Sequence, residues 1–322
     1  MNIVVAVLLA SVSLLVTAIT ATAQTAYPDR AIEMVVTFPP GGPTDTAARI
    51  VQPFLSTQLK VPVVLVNKGG SGGVAGMDAV AKAKPDGYTI AATVRSTVSI
   101  TPAVQANVPY ALKDFEMIGS YAASPQAIVV KKGAPWRTLE ELIDDAKKNP
   151  GKLTYGSAGQ GTNSFFTMEL LKLARGLDIA HVPFAGSGPL KNAILGGHVQ
   201  IGSISLSTMI PNMKSGDVVG LVISGAKRNP AVPDVPTMAD KGVAEASLST
   251  IMEIYAPART PKPVVDRLAQ ALAASMTNPE TVAALDKAGL EVYYHPPEVS
   301  RREAEREYEA VLAAAKKLGL SK

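Results

Sequence analysis

The residue pattern predicts an α/β protein with parallel sheets covered on both faces, repeated in two layers. Three observations lead there. Short β-rich runs alternate with segments of helical spacing along the whole chain. The 24 prolines and 26 glycines among 322 residues fall between those segments, so they punctuate many short elements. Hydrophobic residues make up 47% and charged residues 18%. That composition and length give material for about two domain-sized cores.

The strands come first. β-rich runs occupy residues 32–37, 61–66, 89–94, 127–130, 153–155, 179–182, 199–203 and 218–223. Helical spacing separates them. Residues 46–59 place Ala47, Ile50, Val51, Phe54 and Leu55 on one face, and residues 76–84 are alanine-rich. Thr138-Leu139-Glu140-Glu141 is a capping box opening a helix over 138–148. Further helices are predicted over 164–174 and 189–195. Thr277-Asn278-Pro279-Glu280 reads as an N-cap followed by first-turn proline, and Ser300 reads as the cap of a last helix over 301–317. Two β-rich runs, 126–130 and 249–255, lack a glycine-rich turn and are expected to pass between lobes. This gives a discontinuous first domain, 27–125 plus 248–322, around a second domain, 126–247.

Three loops share one character. Phe38-Pro39-Pro40-Gly41-Gly42-Pro43, then Gly156-Ser157-Ala158-Gly159-Gln160-Gly161-Thr162-Asn163, then Phe184-Ala185-Gly186-Ser187-Gly188 each join a strand's C-terminal end to a helix start. That edge of a parallel sheet is where ligands bind. A helix start has unpaired N–H groups and a partial positive charge, so it accepts an anion without a cationic side chain. None of the three loops contains Lys or Arg. The pattern points to a carboxylate held by neutral donors, and it lacks the Lys-Ser/Thr pair of a nucleotide P-loop. Phe38 is expected to pack on the ligand. Gly41, Gly42, Ser157, Ala158, Gly159 and Gly186 are expected to offer backbone donors; Thr44, Ser157, Thr162 and Ser187 are expected to offer hydroxyls. Pro40 stiffens the first loop, and Asp45 reads as a helix cap beside the site rather than a catalytic acid.

Other functions fare less well. Net charge is +4, aromatics are 5%, and no basic run exceeds two residues. A nucleic-acid stripe is therefore not expected, whereas a mild positive field suits small anions. With no cysteine, thiol catalysis, disulfides and Cys-ligated metals are excluded. His181, His198 and His295 are scattered, with His181 read as structural, and neither Ser157 nor Ser187 sits in G-x-S-x-G. Gly70-Ser71-Gly72-Gly73-Val74-Ala75 fits G-x-G-x-x-A, with Arg95 at the end of the next strand. This leaves an NADP-dependent enzyme as an alternative, against the plainer reading of a glycine-rich turn before a packed helix. The opening "MNIVVAVLLASVSLLVTAITATAQ" reads as a signal peptide over residues 1–23, with Ala21-Thr22-Ala23 as the cleavage signal. Its n-region has no Lys or Arg, and an uncleaved membrane anchor is the alternative.

The stretches "YPDRAIEMVVTFPPGGPTDTAAR", "VNKGGSGGVAGMDAVAKAKPDGYT", "YGSAGQGT", "HVPFAGSGP", "LGGHVQIG", "PDVPTMADKG" and "APARTPKPVVDRL" follow one another along the chain. In that order they resemble the extracytoplasmic solute receptors of tripartite tricarboxylate transporters, the Bug family. The resemblance implies a periplasmic-binding-protein type II fold, two Rossmann-like lobes joined by crossing strands. It further implies a monomeric, periplasmic, non-enzymatic protein without a cofactor, closing over a small carboxylate and delivering it to a membrane permease. A carboxylate-sensing receptor using the same cleft is the alternative. It places the carboxylate at residues 38–45, 157–162 and 184–187, and so counts Phe184 with the site. Two departures stand out. Ile204-Ser205 stands where the family often has an acid or amide, which disfavours an amino-acid ligand and leaves Ser205 facing the site. Arg95 stands where small polar residues are common, with two readings: it reaches a distal carboxylate, or it pairs with nearby acids.

Overall fold

A computed structural model describes residues 27–105, 107–225 and 227–317; the expected signal segment lies outside them. No helix among the described residues is long and apolar enough to cross a membrane. The strands are β1 (Ile32–Val36), β2 (Val63–Asn67), β3 (Thr89–Val94), β4 (Phe115–Lys131), β5 (Leu153–Ser157), β6 (Ile179–Pro183), β7 (Ile201–Ser205), β8 (Val218–Ile223), β9 (Ser249–Pro257) and β10 (Glu291–His295). Their spatial order is β2-β1-β3-β9-β4-β7-β5-β6, with β8 and β10 also pairing with β4.

The 17-residue β4 joins the two lobes. Its first part pairs with β9 up to Pro125 opposite Ser249, and its last part pairs with β7 from Gln126 opposite Ser205. The predicted run 127–130 is thus only the C-terminal end of a longer strand. Gly119, Ser120, Ser124 and Pro125 disguise the rest as loop. Each lobe has a parallel trio, β2-β1-β3 and β7-β5-β6. The crossing strands β4 and β9 run antiparallel to their neighbours, so the sheets are mixed rather than wholly parallel.

Both faces of each trio are covered, which explains the near-continuous apolar strands. Along β1, Met34 and Val36 face the core under the helix Pro43–Leu59, while Val35 faces the core with Met77 and Val80 of the helix Val74–Ala81. Along β4, Ile128 and Val130 face one core and Ala127 and Val129 the other. This is the period-two alternation of a strand buried on both sides.

The caps are local and were legible. Thr138 Oγ1 accepts from Glu141 N at 3.2 Å, and Glu141 Oε2 accepts from Thr138 N at 3.2 Å. Asn278 Oδ1 accepts from Glu280 N at 2.8 Å, ahead of the helix Pro279–Lys287. Ser300 is not a cap. The last helix starts earlier, at Pro297, because proline suits a first helical turn. Ser300 Oγ instead accepts from Ser120 N at 3.0 Å and donates to His295 O at 3.1 Å, pinning that helix to β4. The helix Lys262–Met276, the strand β10 and the short helices Arg95–Val98 and Thr101–Val104 were not foreseen.

Gly76 shows how closely the helix Val74–Ala81 approaches β1. A Cβ there would lie 2.6 Å from Lys68 O and 2.9 Å from Thr37 Cα, both backbone atoms. Alanine normally favours a helix over glycine by about 1 kcal/mol. Here Gly76→Ala is expected to destabilise the fold by about 1–3 kcal/mol, read as a lower urea midpoint.

Candidate functional site

The C-terminal ends of β1, β3, β5, β6 and β7 meet across the space between the lobes, and a helix begins at each. Pro43 starts the helix after β1, Arg95 the one after β3, and Asn163 the one after β5; Ser187 and Leu206 start those after β6 and β7. In the helix Pro43–Leu59 the first N–H to find a backbone acceptor is Thr46, bonding Gly42 O at 3.0 Å. In the helix Ser187–Gly196 it is Leu190, bonding Gly186 O at 3.3 Å. The N–H groups ahead of these lie at the positive ends of the helix dipoles. Gly42, Gly186 and Ser205 precede their helices without any side-chain cap, so their first turns stay open to a ligand.

The space between the lobes measures about 380 Å³, open solvent included. The first lobe contributes Phe38, Gly42, Pro43, Thr44, Val94 and Ser96. Ala158, Thr162, Asn163, Ser164, Ser187 and Ser205 come from the second lobe, and Gln126 and Thr250 from the crossing strands. None of these is charged.

Of the predicted residues, Phe38, Gly42, Thr44, Ala158, Thr162, Ser187 and Ser205 line this cleft. Phe38 is 8% exposed. Its ring lies 3.2 Å from where a Cβ would stand on Gly73 and 3.7 Å from one on Gly186. Gly186 has a φ of +125°, a conformation that favours glycine. Eight others, Asp45 and Arg95 among them, do not line the cleft. Pro40 and Gly41 are exposed behind the loop, and Gly41 N donates to Asp45 Oδ2 at 3.0 Å. Ser157 is fully buried; its Oγ lies 2.7 Å from His181 Nε2 and donates to Gly159 O at 3.2 Å. Gly159 N turns back to Ser157 Oγ, and Ala158 N is taken by Ser164 Oγ at 3.0 Å. The Phe184 ring packs on Gly156. Gly186 shapes the helix start and packs against Pro39 without lining the space.

Asp45 sits at the third helical position, 3% exposed. It accepts from Gly41 N, from Arg49 Nε at 3.0 Å and from Asn67 Nδ2 at 2.9 Å. Asn67 Nδ2 also reaches Phe38 O at 2.9 Å. Desolvation alone would raise the Asp45 carboxyl. The hydrogen bonds from Arg49, Asn67 and Gly41 outweigh it and hold the carboxyl below its ordinary range. Its task is to tie the first loop down.

The remaining lining residues, Pro43, Val94, Ser96, Gln126, Asn163, Ser164 and Thr250, were not foreseen. Pro43 and Asn163 lie inside the predicted loops but were given no binding role, and Ser164 adjoins the second loop by one residue. Gln126 and Thr250 announce themselves only as polar residues inside apolar strands.

The lobes also touch. A Cβ on Gly188 would lie 2.8 Å from Pro40 O, one on Gly72 3.5 Å from Gln160 O, and one on Gly42 3.8 Å from Ser187 Cβ. The glycine run 70–75 therefore serves as a lobe contact, and the conformation is closed.

The family model described as "Tripartite tricarboxylate transporter family receptor" matches residues 47–319. The chain belongs to that family. It is 33% identical to the solved periplasmic binding protein BugD, covering 92% of this chain and 100% of that one, with a TM-score of 0.86. MatC from Rhodopseudomonas palustris with bound malate is 28% identical over 89% of this chain and all of MatC, at 0.83. Rpa4515 from R. palustris with adipate is 28% identical over 92% of this chain and 99% of that one, at 0.87. The two-lobed fold of periplasmic binding proteins is thereby established for this receptor-family member, and its family is one of binding proteins rather than enzymes.

In this family member Arg95 faces away from the cleft. It is 7% exposed and binds Glu253 through Nε at 2.8 Å and Glu303 through a terminal nitrogen at 2.7 Å. Glu253 also accepts from Tyr255 OH, and Glu307 accepts from Ser99 Oγ at 2.6 Å. Burial pushes Glu253 up to about 7 against the pull of Arg95. Of the two readings of Arg95, pairing with nearby acids matches this geometry: Glu253 is buried and Glu303 partly buried.

Two outcomes follow. Arg95→Ala strands Glu253 in the interior and is expected to cost about 3–5 kcal/mol in urea unfolding. Asp45→Asn is expected to cost about 1–2 kcal/mol at neutral pH. Because the folded Asp45 value lies below its ordinary 3.8, its contribution is complete above that value and is lost as pH falls through the folded value. The gap between wild type and Asp45→Asn should close on acidification below about pH 4.

Proposed function

We propose that this chain captures a small organic carboxylate in the cleft by closure of its two lobes and presents it to the membrane permease of a tripartite transporter. The lobes are residues 27–125 with 248–322, and residues 126–247. The protein works in the periplasm, with residues 1–23 as its export signal. The observation that carries this reading is a closed cleft with no charged lining residue, ringed by open helix starts. Such a site stabilises one carboxylate through N–H groups and hydroxyls and gives little to a cation. Relatives that bind malate and adipate support it.

In this reading Thr44 and Ser187 supply hydroxyls from opposite lobes, with the N–H groups of their first turns. Ser96 and Ser164 supply further hydroxyls, and Phe38 covers the ligand's apolar part. Catalysis has no support here. Among the described residues Ser157 and His181 pair as nucleophile and base near the loops, and Ser157 is fully buried and does not line the cleft. Burial also lowers His181, keeping it neutral against Ser157.

Isothermal titration against a panel of carboxylic acids tests the reading. At least one small carboxylate is expected to bind with micromolar or tighter affinity. Ser187→Ala is expected to weaken it by about 5–30-fold, the loss of one hydrogen bond of about 1–2 kcal/mol. Gly188→Ala tests closure separately. Its methyl group would meet Pro40 O at 2.8 Å, so affinity should fall by about tenfold or more. Stability of the free protein should hold or rise, since alanine suits that helix. Absence of binding to every acid in the panel contradicts the proposal.

A further inference from the structure

The floor of the cleft differs chemically from its walls. The register of the crossing strands brings Gln126 of β4 next to Ser205 of β7, and Ser124 opposite Thr250 of β9. Gln126, Ser205 and Thr250 all line the cleft there, with Asn163 beside them, its Nδ2 bonded to Ser249 O. Gln126 is fully buried and Asn163 is 4% exposed. Asn163 Oδ1 and Gln126 Oε1 are both buried without a hydrogen-bond partner among the described residues.

The orientation of Asn163 is fixed by chemistry. Ser249 O is a carbonyl and can only accept, so the amide nitrogen must face it and the amide oxygen must face elsewhere. Gln126 Nε2 faces the Thr250 hydroxyl at 2.6 Å, a partner that can accept or donate, so the Asn163 amide alone has its orientation fixed. One fixed acceptor, Asn163 Oδ1, therefore stands at the floor. A buried acceptor without a donor is costly, and a second carboxylate placed against it would add like-sign repulsion with no cation lining the cleft to offset it.

We infer that the preferred ligand is a monocarboxylate carrying a neutral hydrogen-bond donor, a hydroxyl or primary amide, at its far end, which Asn163 Oδ1 accepts. This rests on the carboxylate-binding reading of the same cleft and narrows it. The carboxylate occupies the helix starts of the walls. The donor turns down to the strands, where it satisfies the Asn163 amide oxygen. A diacid of the same length brings an acceptor to that place and is disfavoured. Asn163 is then a specificity-determining residue.

Matched pairs of ligands on the wild-type protein test this directly. Succinamate against succinate, and adipamate against adipate, differ only in one terminal amide in place of a carboxylate; 4-hydroxybutyrate against butyrate differs in one hydroxyl. In titration calorimetry at neutral pH the donor-bearing member of the best-binding pair is expected to bind about tenfold or more tightly, since a site built to accept a donor rejects the analogue without it. Asn163→Leu, if folded by circular dichroism, should lose most of that preference. Equal affinity within each pair, which would mean that water serves the Asn163 oxygen, overturns the inference, as does tighter binding of the diacid. In either case the carboxylate-binding reading survives. Failure of every pair to bind overturns the inference too, and the carboxylate-binding reading falls only if the wider panel of acids also fails.

Discussion

The structure depends on one constraint: helix starts from two separate lobes must face each other across a closed space that contains no charged side chain. A cationic side chain in such a place would have to be desolvated on every closure. Backbone N–H groups at the first turns are already fixed, and their partial charges need no side-chain ordering. The design therefore places its demands on backbone geometry. It needs loops that bring five strand ends together, and crossing strands that hold the lobes in register. β4 meets both needs, passing at Pro125-Gln126 from pairing with β9 to pairing with β7.

The charged groups near the cleft are spent on holding the loops. Asp45 gathers Gly41 N, Arg49 and Asn67, so the Phe38–Gly42 loop is tied down from behind. Arg95 joins β9 to the C-terminal helix Pro297–Lys317 through Glu253 and Glu303, and the next residue, Ser96, lines the cleft. The hydroxyl and amide groups are left to face the ligand. Across the lobes, glycines at 42, 72 and 188 set how near the two walls approach.

How much of this was legible follows from how local each cause is. The wall residues Phe38, Gly42, Thr44, Ala158, Thr162 and Ser187 were found because glycine, proline and hydroxyl residues between a strand and a helix specify a turn from neighbours alone. Arg95 and Asp45 were drawn toward the site because a charge beside a cleft suggests a ligand. What decides the role of Arg95 lies elsewhere in the chain: Glu253 and Glu303 stand 158 and 208 residues from it. The floor was missed for the same reason. Gln126 and Thr250 meet only through strand register, and no motif of a single segment encodes that. A polar residue beside Pro125, leading an otherwise apolar run, was the available signal.

The most direct measurement is a crystal structure of the protein with a bound carboxylate. The account predicts carboxylate oxygens about 2.7–3.2 Å from backbone N–H groups or hydroxyls of the first turns at Thr44 and Ser187, with no Lys or Arg nitrogen in contact. A carboxylate paired with a lysine or arginine, or seated outside the space between the lobes, would contradict it.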